Sequence, residues 1–150
     1  MFEITVESDF AAAHRLREYD GNCERLHGHN WRVELTVAAE ALDGIGLAVD
    51  FRRVRRWLSE ALKRFDHKYL NEVEEFRDRN PTCELIAKSI YDHVNTSIAA
   101  ETADPAETAG TADPVDTTET ENVPDAANRL TVARVRVWES PGASVTYGRS

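Results

Sequence analysis

FEITVESDFAAAH, residues 2–14, alternates along its whole length. Phe2, Ile4, Val6, Phe10, Ala12 and His14 share one parity, and Glu3, Thr5, Glu7 and Asp9 share the other. Successive strand side chains point to opposite faces, so the pattern predicts a half-buried strand whose apolar face ends in a histidine. Residues 26–38 repeat it, with Trp31, Val33, Leu35 and Val37 on one side and Arg32, Glu34 and Thr36 on the other. His27 and His29 fall on the apolar side. Two strands of this kind can pair and bring three imidazoles together from their buried faces.

Working outward, Leu42 to Gly46 reads as a turn, and Asp50 as the N-cap of a helix. Phe51, Val54, Trp57, Leu58, Ala61, Leu62 and Phe65 follow at spacings of three and four, which makes one apolar stripe. Asn80-Pro81-Thr82 opens a second helix, with Pro81 predicted in its first turn and Ile86, Ile90, Val94 and Ile98 continuing it. Residues 130–138 return to strand, with Thr131, Ala133, Val135, Val137 and Glu139 on one parity. Strands flanking two helices predict an α+β fold, an antiparallel sheet covered by helices on one face.

The chain has 150 residues, a length that suits a single domain spanning 1–150. It contains no apolar run long enough for a membrane span. Its first residues carry acids rather than a basic region and a long apolar stretch, so no secretory signal is expected. Cys23 and Cys83 are then expected as free thiols in a cytoplasmic protein. A net charge of −9 argues against nonspecific binding to nucleic acid or anionic membrane. Much of that charge sits in residues 99–128, which hold eight acids and no Lys or Arg and are otherwise mostly Ala, Thr and Pro. Such a segment buries too little apolar surface to offset its ordering entropy, so it is expected to be a disordered acidic insertion.

The chemistry-bearing residues are few. Three neutral histidines with one open position are the ligand count of a catalytic Zn2+ site, and cobalt, nickel or iron would also accept them. Cys23, four residues before His27, is either a fourth ligand that closes the site or a nearby thiol that moves protons. Asp66-His67 ends the first helix, where an aspartate can orient an imidazole. Glu139 sits on an apolar parity, and Arg134 and Arg136 point the other way. A buried carboxylate needs a partner; a ligand edge with two adjacent N–H donors would supply one. Thr82 and Glu84 suit the start of the second helix as cap and first-turn acid.

Together these residues resemble the 6-pyruvoyltetrahydropterin synthase family. The resemblance is carried by Phe10 to Leu16, Cys23 with His27-Gly28-His29-Asn30, Asp50-Phe51, Asp66-His67 with Leu70-Asn71, Asn80-Pro81-Thr82 with Glu84, and Glu139 with Tyr147. The short gap from Cys23 to His27 is similar to the branch that forms 6-carboxytetrahydropterin for 7-deazaguanine (queuosine and archaeosine) synthesis. The resemblance implies the tunnelling fold, a four-stranded antiparallel sheet with two helices. It also implies a homohexamer, a dimer of trimers with active sites between subunits. It implies zinc on His14, His27 and His29, Cys23 as a proton-transferring group, and Asp66 and His67 as a second acid–base pair. Glu139 would anchor a pterin ring, with Thr82 and Glu84 nearby. The implied substrate is 7,8-dihydroneopterin triphosphate, cleaved to 6-carboxytetrahydropterin, acetaldehyde and triphosphate. The alternatives are 6-pyruvoyltetrahydropterin formation, another pterin side-chain cleavage, or a non-catalytic zinc-stabilised binding oligomer. Position 83, a cysteine, departs from the small polar residue more usual in the family.

Overall fold

The computed structural model describes residues 1–103 and 129–148. The two alternating stretches form β1 (Phe2–His14) and β2 (His27–Ala39), which pair antiparallel from Phe2↔Ala39 to His14↔His27 without a bulge. An unbroken register keeps every even residue of β1 and every odd residue of β2 on one face. That face is the core: Ile4, Val6, Phe10, Ala12, Trp31, Val33, Leu35 and Val37 are all buried.

β4 (Leu130–Ser140) pairs antiparallel with β2, and β5 (Ala143–Gly148) with β4. A fifth strand, β3 (Lys68–Tyr69), adds two residues parallel to β1 at the edge, and the order is β3-β1-β2-β4-β5. The sheet therefore has four antiparallel strands, as expected, plus a short parallel edge strand that carries no sequence signature. The β4–β5 hairpin closes through Pro141-Gly142, with Gly142 at φ +91, a conformation that glycine adopts without penalty.

The parity assigned to β4 holds at its C-terminal end and fails at its start. Thr36 pairs with Arg134 and Val37 with Val132, which leaves Ala133 as an extra residue. The bulge flips the alternation, so Val132 is buried while Thr131 is exposed.

α1 (Phe51–Lys63) is capped by Asp50, whose Oδ1 accepts from Arg52 N at 2.7 Å. Val54, Trp57, Leu58, Ala61 and Leu62 form its buried stripe. Phe51, expected in the stripe, departs from it at 54% exposure. α2 (Cys83–Ala103) buries Ile86, Ile90, Val94 and Ile98. Its cap is Thr82, whose Oγ1 accepts from Leu85 N at 3.3 Å. Pro81 thus precedes the cap instead of sitting in the first turn, because the threonine hydroxyl satisfies helix N–H groups and the proline ring cannot. Both helices pack on the same sheet face and against each other.

The acidic segment begins differently from its compositional reading. Residues 99–103 are the last turn of α2, held by Glu101, which accepts from Arg53 Nε at 2.7 Å and Trp57 Nε1 at 2.8 Å, with Arg56 beside them. The rest of that segment, 104–128, lies outside the described residues. No helix among the described residues is long and apolar enough to cross a membrane.

Candidate metal centre and active-site cleft

The β1–β2 register places His14 opposite His27 and Ala12 opposite His29. The rings converge, with centroids 4.6 Å apart for His14–His27, 4.7 Å for His27–His29 and 5.2 Å for His14–His29. Trp31 stands edge-on to His14 and His29 and forms the floor beneath them, its Nε1 donating to Ala12 O at 3.3 Å.

Backbone carbonyls set the tautomers. His14 Nδ1 lies 2.9 Å from Pro81 O, and His27 Nδ1 lies 2.7 Å from Arg25 O. A carbonyl only accepts, so each Nδ1 carries a proton and, in a neutral ring, each Nε2 presents a lone pair. Those two Nε2 atoms face each other at 3.1 Å. His29 Nε2 is buried without a hydrogen-bond partner. Burial lowers the pKa of both His14 and His29, favouring the neutral rings that a metal requires.

Glu139 completes the cluster. Its Oε1 lies 3.1 Å from His14 Nε2 and 3.4 Å from His29 Nε2. One ligand atom from each of His14, His27, His29 and Glu139 lies within 4.8 Å of the others. Four ligands held ~2.0–2.1 Å from a tetrahedral ion stand ~3.3 Å apart along each edge. The closest approaches match that spacing, so the donor set fits a zinc-like cation. Parity with buried Val135 and Val137 puts Glu139 on the imidazole face, and the pairing with β5 is irregular there: Trp138 pairs with Ser144 and Ser140 with Ala143, leaving Glu139 without a β5 partner.

Cys23 is not part of the cluster. It sits in a 3-10 turn, Asn22–Glu24, half-buried, with its carbonyl accepting from Leu16 N at 2.8 Å. This favours the nearby thiol over the fourth ligand. Asp66 and His67 do form a pair, His67 Nδ1 lying 2.9 Å from Asp66 Oδ1. They dock on β1 as a strand would: Ala11 N donates to Asp66 Oδ1 at 3.0 Å, and His67 N donates to Ala11 O at 2.6 Å. The Ala11 N–H, with help from His67, holds the Asp66 carboxyl below its usual range. His67 adopts φ +57, a left-handed conformation that costs a non-glycine residue ~1–2 kcal/mol, and its side chain is 82% exposed. Strain of this kind gathers at functional positions.

His67 lines a cleft of ≈ 460 Å³ with Lys68 and Tyr69, with Ala12 and His29, and with Ala11, Ala13, Gly28 and Asn30. The last four have the parity opposite to the imidazoles, so the cleft opens mainly on the other face of the sheet. His29 belongs both to this cleft and to the imidazole cluster, so the acid–base pair and the cluster border one opening. Thr82 caps α2 and Glu84 is exposed in its first turn. Cys83 Sγ lies 3.4 Å from Val137 O, and burial pushes its thiol up to about 11.

Asn71 and Asn80, which the sequence marks only as part of the family resemblance and of a helix start, have a positioning role that sequence reasoning missed. Asn71 Oδ1 accepts from Arg15 N and its Nδ2 donates to Arg15 O, both at 2.9 Å. Asn80 treats Arg17 alike, at 2.7 and 3.0 Å. The two amides replace the missing strand partner of residues 15–17 and hold the chain as it leaves His14. Their sequence signal is their place in the Leu70-Asn71 and Asn80-Pro81-Thr82 stretches that carry the resemblance.

Comparison with known proteins gives one family. Its sequence profile, described as 6-pyruvoyl tetrahydropterin synthase, matches residues 3–150. Similar proteins include the 6-carboxy-5,6,7,8-tetrahydropterin synthase of Bacillus subtilis (strain 168), 38% identical over 98 residues, or 62% of this chain and 65% of that one. The Synechocystis protein of the same name is 36% identical over 61% of this chain and 73% of its own. The match to the Bacillus protein thus spans just under two thirds of that relative's length. Among solved structures, Caenorhabditis elegans 6-pyruvoyl tetrahydropterin synthase superposes with a TM-score of 0.68 at 22% identity, over 100% of this chain and 98% of that one. The Plasmodium vivax counterpart gives 0.58 at 19%, over 99% and 97%. These two establish a shared fold.

Proposed function

Because the chain belongs to the 6-pyruvoyl tetrahydropterin synthase family, we propose that it is a zinc-dependent lyase. It would convert 7,8-dihydroneopterin triphosphate to 6-carboxy-5,6,7,8-tetrahydropterin, acetaldehyde and triphosphate. The names of the Bacillus and Synechocystis relatives support this branch. The observation that carries the reading is the convergence of His14, His27, His29 and Glu139, with proton positions at His14 and His27 set by Pro81 and Arg25 carbonyls.

Zinc held by the three imidazoles would supply Lewis acidity toward the hydroxyls of the substrate side chain. The chain's own groups do the rest. Cys23, on its 3-10 turn, takes or returns a proton at a side-chain carbon. His67 does the same from another direction, oriented by Asp66 at 2.9 Å. Glu139 accepts two N–H donors from the pterin ring, with Thr82 and Glu84 beside it at the start of α2. The active sites would lie between subunits of a homohexamer, as the family resemblance implies. The product would enter 7-deazaguanine synthesis in the cytoplasm.

The test is direct. Zinc-loaded protein is incubated with 7,8-dihydroneopterin triphosphate and acetaldehyde is trapped. Acetaldehyde together with 6-carboxytetrahydropterin is expected, and Cys23→Ala should keep its metal but lose turnover. A pyruvoyl or glycolaldehyde product without acetaldehyde would replace this reading with a sister activity. Pterin binding without turnover by the wild type would make the protein a binding oligomer.

A further inference from the structure

The position of Glu139 raises a question that ring anchoring does not answer. Its Oε1 approaches two imidazole nitrogens, at 3.1 Å and 3.4 Å. In the neutral state the proton of His14 is committed to Pro81 O through Nδ1, so its Nε2 presents a lone pair, and His29 Nε2 has no hydrogen-bond partner. No Lys or Arg among the described residues forms an ion pair with Glu139. A carboxylate oxygen facing imidazole nitrogens needs positive charge between them, a ring proton or a metal ion, and three nitrogens converging with it suit the metal ion. The same carboxylate needs both oxygens free to receive two ring N–H donors. It cannot do both.

We infer that Glu139 is an exchangeable fourth ligand. It closes the metal in the free protein, and an amino-oxo heterocycle with adjacent N–H donors draws it away. Ring binding and opening of the metal are then one event. The bulge that leaves Glu139 without a β5 partner frees its side chain for both positions. The consequence is selectivity in time: small anions and thiols meet a filled coordination sphere until a ring is seated. By reciprocity, whatever ligand the metal accepts after opening binds more tightly when the ring is present. This inference rests on the metal reading above.

The experiment uses the purified full chain, stripped of metal and reloaded with Co2+. Azide is titrated while the visible cobalt bands report ligand entry, with and without pterin (the 2-amino-4-oxopteridine ring alone). Wild type is expected to take azide weakly, and pterin to tighten it by ~5–150-fold, the usual range of coupling between sites. Glu139→Gln should take azide at least ~10-fold more tightly than wild type, with no further response to pterin. Equal azide affinity in wild type and variant, or a wild-type affinity unmoved by pterin while cobalt stays bound, overturns the inference and leaves the metal centre standing. Failure of the wild type to bind cobalt overturns the metal centre and the inference together. Should Glu139→Gln not fold, the wild-type response to pterin decides alone.

Discussion

Asn71→Ala tests whether residues leaving His14 are held by borrowed strand pairing. The alanine removes two hydrogen bonds, to Arg15 N and Arg15 O, each 2.9 Å long. Each is worth ~0.5–1.5 kcal/mol net, so the pair contributes ~1–3 kcal/mol. Asn71 is itself 5% exposed, so deletion also removes packing, while exposed Arg15 lets water reach the freed backbone groups. The balance is ~2–3 kcal/mol. A chain of this size shifts its midpoint by ~2–4 °C per kcal/mol, which predicts a Tm lowered by ~4–12 °C. The assay is thermal unfolding of metal-free protein at fixed concentration, since assembly would otherwise move the midpoint. Asn71→Ala with Asn80→Ala should cost less than the two single losses added, because both amides hold the same short segment. Metal affinity should fall with Asn71→Ala, since Arg15 directly follows His14. A Tm shift under ~2 °C would show that residues 15–17 are held by something other than these amides.

Other perturbations probe separate parts of the structure. His29→Ala should weaken zinc binding by at least ~100-fold, more than the loss of an outer-shell partner, as measured by competition with a chelating dye; unchanged affinity would remove His29 from the ligand set. Cys83, with its thiol pushed up to about 11 by burial, should resist iodoacetamide at pH 8 in the folded protein. Mass mapping that finds it alkylated as fast as in the unfolded chain would contradict that burial. Burial pushes the Glu101 carboxyl up, but donors from Trp57, Arg53 and Arg56 outweigh it and hold the group below its ordinary 4.5. A depressed folded-state pKa stabilises above the unfolded value and fades as pH falls through the folded one. Glu101→Gln should therefore cost ~1 kcal/mol at pH 7, discounted for partial exposure, and its difference from wild type should close below pH 4.5. Parallel stability curves for the two proteins from pH 7 to 3 would refute the role given to Glu101.

The expectations that succeeded share a cause. β1 and β2 each bury one face, so alternation records their direction at every second residue, and a slip by one would expose the whole core face. That same alternation placed His14, His27 and His29 on one side before any coordinates. Asp50 capped α1 as expected because its side-chain oxygen acts on an amide two residues away. β3 and the Ala133 bulge left no mark, since a two-residue strand has no period and an extra residue is defined only against its partner.

What the amino-acid order determined by itself was whatever depends on near neighbours: which faces are apolar, where helices begin, and which imidazoles share a side. Only the tertiary structure decided what those faces meet. It brought the Pro81 carbonyl to His14 across 67 positions, and laid Asn71 against Arg15 across 56. It also ran β4 beside β2 so that Glu139, on the apolar parity, lies 3.1 Å from His14 Nε2. Hydrogen bonds and ligand approaches act over about 3 Å, and chain separation carries no information about distance on that scale until the core has closed.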